Sequence, residues 1–449
     1  MHTHMLFRGA RIMGGPPELE RGGDILVTDG AIAALGPSGS LKVPEPAAGR
    51  AAPAGCPEAP GQPESVTVDC TGLLAFPGFV DMHVHLRTPG HEHKEDLSSG
   101  LAAAAAGGFA SVLAMPNTSP PVDGAAQVSD LLARAAKVRN GARLLQSACL
   151  TQGRKGESLC EYFEIREAGA SAVTDDGGWV TDGAVMRRAI DYAAVCGLLP
   201  LTHPEDPTLS RGGSMHEGRV STRLGLRGIP PQAEESAIYR DCALSLLTGN
   251  PVHVCHVSTA EGADLVRRFK AMGARVSCET APHYLFLTHE RVLGFDSHAK
   301  MNPPLRTERD REALRAALAD GTVDAIATDH APHSVLEKEV EFMDAACGIT
   351  GLETAVPLAL KLVRETGMPL ARLASLMSLN PARLLGLPEP MKPGSPADLT
   401  LVDPDLEWTY LTEEGLSKSR NTPFEGWEFT GRAVMTVVGG EIRYRLVRP

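Results

Sequence analysis

Short apolar runs alternate with amphipathic segments through the middle of the chain. The apolar runs, in order, are GFVDMHVH, FASVLAMPN, RLLQSACL, ASAVTDDG, LLPLTHPED, PVHVCHVS, RVSCETAPH and VDAIATDHAPH. Segments with a helical apolar stripe lie between them, such as KEDLSSGLAAAAAG, GAVMRRAIDYAAVCG and ERDREALRAALADG. This alternation predicts a parallel sheet, and eight runs predict an α/β fold with a closed (β/α)8 TIM-type barrel over residues 76–392. An open doubly wound sheet is the alternative, but no GxGxxG motif follows the first run.

The two ends of the chain share a different pattern. LFRGARIM, DILVTDG and AIAALG near the start, and PADLTLVDP and AVMTVVGGEIRYRLV near the end, are short β-type runs separated by turns. They predict one small β-sandwich-like domain built from residues 1–75 and 393–449. Residues 36–65 are rich in Pro, Ala and Gly and have few apolar side chains to bury, which predicts a flexible insertion.

Composition narrows the class of protein. The chain has 449 residues, is 43% hydrophobic and carries a net charge of −12, which suits a globular protein with a large core. No dense run of Lys and Arg indicates a nucleic-acid surface, and no apolar stretch has the length of a membrane span. Nine scattered cysteines without a CxxC motif predict reduced thiols in a cytoplasmic protein.

Five of the eight apolar runs end in histidine or aspartate, and these residues are His83 and His85, Asp175 and Asp176, His203, His256, and Asp329. In a barrel the strand ends converge on one face, and alternation along a strand puts His83 and His85 on the same side. A lone HxH is more often a coincidence or a satisfied core histidine, and an aspartate after a strand is more often a helix N-cap. The joint pattern instead favours a site for two adjacent metal ions with a bridging ligand.

The same segments resemble the amidohydrolase superfamily and, within it, the class I bacterial dihydroorotases. The resemblance covers nearly the whole chain. The motifs that carry it are PGFVDMHVHLR, AMPNT, VTDDG, THPED, HEGRVSTRLGLRGIP, CHVST, KMNPPLR, IATDHAPH, GITGLET and NTPFEG. It implies a zinc-dependent enzyme that reversibly cyclises N-carbamoyl-L-aspartate to L-dihydroorotate in pyrimidine biosynthesis.

The resemblance also implies roles for individual residues. The first zinc would be bound by His83, His85 and Asp329 and the second by His203 and His256, with Asp176 as the bridge and Asp175 as the alternative. Asp329 would also move the proton. Substrate contacts would come from His85, Arg87, Asn117, Asn302, His333, Cys347 and Gly348. Arg87, Asn117 and His333 would surround a carboxylate. Many relatives have Phe-Gly where this chain has Cys347-Gly348, so closure of the site or affinity for substrate is in question.

Two other functions stay open at this level. A hydantoinase or allantoinase would share the barrel and metals, although VTDDG lacks the lysine that many of those enzymes use as a bridge. A non-catalytic partner of aspartate carbamoyltransferase is the second alternative, although this chain keeps every metal ligand. The resemblance further implies a homodimer with a small-molecule substrate, and association with aspartate carbamoyltransferase. Asp81 is expected to hydrogen-bond to a ligating histidine.

Overall fold

A computed structural model describes residues 4–44 and 65–447 of the chain. Its strands, in chain order, are β1 (His4–Ile12), β2 (Gly23–Thr28), β3 (Ala31–Pro37), β4 (Ser65–Asp69), β5 (Leu74–Pro77), β6 (Phe79–Val84), β7 (Phe109–Ala114), β8 (Arg143–Ala148), β9 (Ala172–Val173), β10 (Leu199–Thr202), β11 (Met215–His216), β12 (Gly228–Ile229), β13 (Val252–Val254), β14 (Val276–Thr280), β15 (Ala325–Ile326), β16 (Leu399–Thr409), β17 (Glu428–Val438) and β18 (Glu441–Arg445). Each of the eight apolar runs contains one strand of the same parallel sheet.

The α-helices are α1 (Leu97–Ala106), α2 (Ala125–Ala135), α3 (Tyr162–Glu167), α4 (Gly183–Cys196), α5 (Pro207–Ser210), α6 (Arg219–Leu224), α7 (Gln232–Thr248), α8 (Ala260–Ala271), α9 (Pro282–Phe286), α10 (Glu308–Asp320), α11 (Val335–Lys338), α12 (Ala355–Thr366), α13 (Leu370–Ala374) and α14 (Asn380–Leu384). The predicted helical segments begin and end at local signals. Asp182, for example, caps α4 by accepting hydrogen bonds from Ala184 N and Val185 N, and Gly197 ends it in the left-handed conformation. Among the described residues, no helix combines the length and apolar character needed to cross a membrane.

The predicted barrel is confirmed. Its parallel strands follow the order β15-β14-β13-β10-β9-β8-β7-β6. The two ends of this sheet meet where Val84 pairs with His330 and His85 N donates to His330 O at 2.8 Å. A small apolar cluster takes side chains from strands all around the barrel, including Val80, Leu113 and Leu201. Such residues can meet only inside the barrel, so its centre is packed and not an open pore.

The chain ends form a second sheet, as predicted, in the order β18-β17-β16-β5-β1-β2-β3 with β4 also paired to β1. Most pairs are antiparallel, whereas β4 and β5 run parallel to β1. Of the predicted insertion, residues 45–64 lie outside the described residues, while Gly36–Pro37 and Ser65 belong to strands. The assignment of residues 1–75 and 393–449 to a separate domain stays a prediction.

The small sheet is attached to the barrel by buried contacts. Thr400 Oγ1 donates to Gly108 O at 2.6 Å and accepts from Phe79 N at 3.1 Å. The Phe79 ring lies 5.1 Å from that of Phe76 in β5 and 6.3 Å from that of Phe109 in β7. Because these rings are almost fully removed from water, each contributes about 1.5–3 kcal/mol of burial energy. The first barrel strand, β6, therefore packs against the small sheet on one side and against its barrel neighbour β7 on the other.

Candidate active site

The six residues predicted as metal ligands meet at the carboxyl ends of the barrel strands. His83 is in β6, and His203 and His256 follow β10 and β13 within two residues. Asp176 and Asp329 follow the two-residue strands β9 and β15 by three residues each. Those two strands stop early, so Asp176 lies in a turn and Asp329 in an irregular segment just before His330, instead of in the sheet. His256 and Asp329 have φ of 37° and 49°, a strained conformation that is common at functional sites.

The side chains form two overlapping groups. His83 Nε2 and His85 Nε2 lie 3.6 and 3.1 Å from Asp329 Oδ1. On the other side, His203 Nδ1 and His256 Nε2 are 2.9 Å apart.

Asp176 lies between the two groups. Its Oδ1 is 3.3 Å from His83 Nε2, 3.6 Å from His203 Nδ1 and 3.9 Å from His256 Nε2, and its Oδ2 is 3.7 Å from His85 Nε2. This is the position that a bridging carboxylate needs.

Hydrogen bonds at the outward-facing ring nitrogens fix the ring orientation and tautomer of three of the histidines. His83 Nδ1 donates to Glu279 Oε1 at 3.0 Å, and His85 Nδ1 donates to Asn117 Oδ1 at 2.9 Å. His203 uses the opposite nitrogen, and its Nε2 donates to Glu205 Oε2 at 3.0 Å. Since each outer nitrogen carries the proton, each inner nitrogen offers a lone pair to the centre of the cluster.

These residues fit divalent metal ions. Neutral imidazoles and carboxylates are the usual ligands of zinc, and here several of them turn lone pairs toward one another. His83 Nε2 and Asp176 Oδ1 are buried and lack a hydrogen-bond partner in the protein, which is costly unless a cation satisfies them. Within the described residues, His83, His85 and Asp329 form one group with metal-ligand spacing, and His83, Asp176 and His256 form another.

The electrostatics of the cluster also favour cations. Burial would raise the pKa of Asp176 and of Asp329, but the surrounding histidines hold both values well below the usual range. Conversely, burial would lower the pKa of His83 and of His203. The neighbouring carboxylates outweigh it, raising the pKa of His83 well above its usual value and that of His203 to about 9. In the protein alone, protons on the histidines therefore balance the charge of the carboxylates. A bound divalent ion would supply that positive charge in their place.

The structure separates the two adjacent aspartates. Asp175 turns away from the cluster, where its carboxylate accepts from Thr151 N at 3.0 Å and from the Thr151 hydroxyl. Asp176 faces the histidines, and the cap of the next helix is Asp182. The N-cap explanation of the TDD aspartates is therefore wrong, and the bridging role of Asp176 stays a prediction.

The predicted substrate-binding residues face a cavity of about 220 Å³ beside this cluster. Of the twelve site residues predicted from the sequence, all but His83 line it, and they are His85, Arg87, Asn117, Asp176, His203, His256, Asn302, Asp329, His333, Cys347 and Gly348. The two further lining residues are Gly177 and Ala331. The sequence signals thus identify one continuous site.

Arg87 and His333 form the cationic side of the cavity. Arg87 Nε donates to Pro332 O at 3.1 Å, and its terminal nitrogen lies 3.1 Å from His333 Nε2. Burial lowers the pKa of Arg87 to about 10, so the guanidinium stays charged at neutral pH. Burial and the charge of Arg87 lower the pKa of His333 to about 3, so this imidazole is neutral. A carboxylate ligand would meet one fixed positive charge and one neutral ring.

Three predicted substrate contacts are already engaged within the protein. Asn117 bonds to His85 and also donates to Asp176 Oδ2 at 3.2 Å, so both ends of its amide are used by predicted metal ligands. Asn302 Nδ2 donates to Glu205 Oε2 at 2.7 Å. Gly348 N donates to Lys300 O at 3.0 Å. Each would have to exchange or share a bond to contact substrate, and their assigned roles stay predictions.

Sequence reasoning missed several supporting residues. Glu279 is fully buried in β14, and besides bonding His83 it lies 3.2 Å from His253 Nε2. Glu205 links His203 to Asn302. The sequence does contain a signal for Glu279, because a carboxylate within the buried run RVSCETAPH needs a hydrogen-bond partner. Asp81, expected to hydrogen-bond to a ligating histidine, contacts His83 through the backbone only, because its Oδ1 accepts from His83 N at 3.1 Å, whereas the partner of the ring is Glu279.

The barrel with this His/Asp cluster defines a (β/α)8 protein with a candidate divalent-metal site at the carboxyl ends of its strands. The L-hydantoinase (dihydropyrimidinase) from Arthrobacter aurescens superimposes with a TM-score of 0.83, at 24% identity, covering 99% of this chain and 97% of that chain. The dihydropyrimidinase from Brevibacillus agri NCHU1002 gives 0.79 at 20% identity, covering 98% of this chain and 95% of its own. At such identities the match concerns the fold alone.

Sequence comparisons narrow the class further. The model of the dihydro-orotase-like family matches residues 72–262. A dihydroorotase from Geobacter sp. (strain M21) is 47% identical over 443 residues, covering 98% of this chain and 99% of the relative. One from Desulforapulum autotrophicum is 48% identical over 439 residues, covering 98% of each. The chain belongs to the dihydroorotase family, whose members are cyclic amide hydrolases.

Proposed function

We propose that this enzyme interconverts N-carbamoyl-L-aspartate and L-dihydroorotate, a reaction of pyrimidine biosynthesis, with two zinc ions per chain. The observation that carries the proposal is the single cavity that joins a cluster of four histidines and two aspartates to Arg87 and His333. A cyclic amide with a carboxylate substituent needs both parts. Metal ions held by the cluster would activate the amide for attack, and the cationic side would bind the carboxylate.

His83, His85 and Asp329 would hold one zinc, and His203 and His256 the other, with Asp176 shared. When bound, the two ions would make a water acidic enough to supply hydroxide near neutral pH and would polarise the amide carbonyl. The outer partners Glu279, Asn117 and Glu205 would keep the three histidine rings oriented for that task.

Asp329 is the residue proposed to move the proton. Its Oδ1 belongs to the ligand cluster, and the residue also lines the cavity, so it would face both a nucleophile held by the metals and the ring nitrogen of a bound substrate. In ring opening it accepts the proton of the nucleophile and returns it to the nitrogen as the carbon–nitrogen bond breaks. In cyclisation it takes the proton from the attacking carbamoyl nitrogen and delivers it to the departing carboxylate oxygen, which leaves as hydroxide.

Arg87 is proposed to bind the substrate's carboxylate. Its Nε is occupied by Pro332 O, which fixes the plane of the guanidinium and directs its far end toward the cavity. A planar, permanently charged donor of this kind binds carboxylates through paired hydrogen bonds. The homodimer and the association with aspartate carbamoyltransferase stay predictions.

The test is cyclisation of N-carbamoyl-L-aspartate by the purified protein, with and without a chelator and after zinc is restored. We expect turnover that the chelator abolishes and zinc recovers. Hydantoin and allantoin are assayed in parallel, because a hydantoinase-type enzyme is the competing function. Turnover of either compound in preference to dihydroorotate would refute the proposal, as would freshly purified protein with neither zinc nor activity.

A further inference from the structure

Asn421 is a buried side chain that lies just outside the cavity. It belongs to the NTPFEG segment between β16 and β17, and only 2% of its surface is exposed. Its Oδ1 accepts from His333 N at 2.9 Å, and its Nδ2 donates to Ala331 O and to Gly348 O, each at 3.0 Å. All three bonded residues line the cavity. One amide group therefore holds three points of the cavity wall.

The bonded residues belong to two adjacent segments. Residues 330–333 follow β15, and residues 347–351 run beside them. His330 pairs with Ile349, and Ala331 N donates to Ile349 O at 2.7 Å. The segments approach so closely that a Cβ at Gly348 would lie 2.7 Å from Ala331 Cβ, and Gly348 has a φ of 137°. Asn421 bonds to both segments with its side chain, and its backbone carbonyl also accepts from Thr350 N at 2.8 Å.

The cavity side of the same segment carries the carboxylate-binding group. Arg87 Nε donates to Pro332 O, and Arg87 also approaches the ring of His333. The His333 ring in turn lies 2.9 Å from Cys347 O. The wall is thus one chain segment thick, with Arg87 on its inner side and Asn421 on its outer side. A shift of residues 331–333 would move His333 and the acceptor that orients Arg87.

We propose that Asn421 is a positioning residue for the substrate's carboxylate. It does not touch the substrate, and it acts by fixing His333 and the 347–348 segment in the geometry that Arg87 and the carboxylate require. This inference rests on the proposed function and deepens it. A carboxylate between a guanidinium and an imidazole depends steeply on placement, since a 1 Å error in a binding group costs up to about 100-fold.

The chemistry of the position explains why asparagine stands there. The site needs one acceptor for an N–H group and two donors for carbonyl oxygens, all within one short side chain. Aspartate would keep the acceptor but would place a carboxylate against Ala331 O and Gly348 O. Serine would retain at most one of the donor contacts. Lys338 also donates to Gly348 O, at 3.1 Å, so this carbonyl is held from two directions and has no lone pair left for substrate.

The test uses Asn421→Asp, Asn421→Ser, His333→Ala and the double variant Asn421→Ser/His333→Ala in the full chain loaded with zinc. Ser419→Ala is the matched control. It removes a buried hydrogen bond of the same segment, from Ser419 Oγ to Lys94 O at 2.7 Å, which does not involve a cavity-lining residue. Rates with dihydroorotate give kcat and KM, and thermal melting reports folding.

We expect each Asn421 variant to raise KM for dihydroorotate about tenfold or more while kcat falls much less. His333→Ala should raise KM comparably, and the double variant should add little to the larger single effect, because both act on one group. Ser419→Ala should leave KM within about twofold of the wild-type value.

Three outcomes would overturn the inference while the wild-type enzyme stays active. They are an unchanged KM in folded Asn421 variants, fully additive effects in the double variant, and an equal rise of KM in Ser419→Ala. Failure of both Asn421 variants to fold would assign the residue a purely structural role and would overturn it as well. Wild-type protein inactive on both dihydroorotate and N-carbamoyl-aspartate would instead remove the proposed function, and this inference with it.

Discussion

Replacing Glu279 with glutamine should weaken metal binding without disturbing the fold. Glu279 is fully buried, its Oε1 accepts from His83 Nδ1 at 3.0 Å, and burial is outweighed by His253 and His83, which lower its pKa to about 2. The carboxylate is therefore ionised at neutral pH and increases the electron density of the ring whose other nitrogen faces the ligand cluster. Glutamine has nearly the same shape and keeps an acceptor oxygen, but it carries no charge.

The size of the effect follows from the bond that is weakened. A hydrogen bond to a charged group contributes about 1.5–3 kcal/mol, whereas a neutral one contributes about 0.5–1.5 kcal/mol. The difference is about 1–1.5 kcal/mol, which corresponds to roughly a tenfold loss of affinity. Outer partners of metal-ligating histidines generally change metal affinity by about 10- to 100-fold, so tenfold is the lower bound of our expectation.

The assay is competition for zinc against a chromophoric chelator, with apo-protein melting as the measure of folding. Glu95→Gln is the matched control. Glu95 is equally buried beside a histidine, His330, but the His330 ring contacts Glu95 through one nitrogen and Gly351 N through the other. Zinc affinity within about twofold of wild type in folded Glu279→Gln would refute the reasoning. An equal loss in Glu95→Gln would show that any buried charge has this effect.

Three further variants test other parts of the site and the fold. Asp329→Asn should abolish turnover in both directions while much of the zinc is retained, and near-normal activity in a rate assay would rule out its role in proton transfer. Arg87→Ala should raise KM for dihydroorotate about tenfold or more with a smaller change in kcat, and an unchanged KM would exclude Arg87 as the carboxylate-binding group. Phe79→Ala should cost about 3–5 kcal/mol in urea unfolding, because its ring joins the barrel to the small sheet, and a cost below 1 kcal/mol would contradict that packing.

The sequence predicts the barrel and the ligand cluster well because both depend on local patterns. Each apolar run becomes a strand, and the residues after a strand necessarily lie at its carboxyl end. The alternation of side chains likewise places His83 and His85 on one face. What the pattern leaves open is a choice between neighbours. Asp175 and Asp176 occupy adjacent positions, and which one turns inward depends on distant partners, Thr151 for Asp175 and the histidines for Asp176.

The supporting residues depend on distant contacts and were harder to find. Glu279 lies inside a strand, where the sequence pattern indicates only burial. Its contact with His83 follows from closure of the barrel, which brings together residues 196 positions apart. Asn421 stands in a motif that the resemblance quotes, but its partners are 88 and 73 positions away. No periodic pattern connects such residues, because the bonds form between irregular segments.

The position of Asn421 also bears on how the two sheets cooperate. The segment between β16 and β17 leaves the small sheet and reaches the cavity wall, where Asn421 bonds to His333, while Ser417 Oγ bonds to the buried Glu95 at 2.5 Å. The small sheet is therefore more than a support for the chain ends, because the connection between β16 and β17 supplies part of the wall behind the proposed carboxylate site. The outer partners of the ligand cluster, Glu279, Asn117 and Glu205, all lie in the barrel, whereas His333 is fixed from this connection. Metal binding and substrate affinity are thus supported by different parts of the fold, and separate variants can change one without the other.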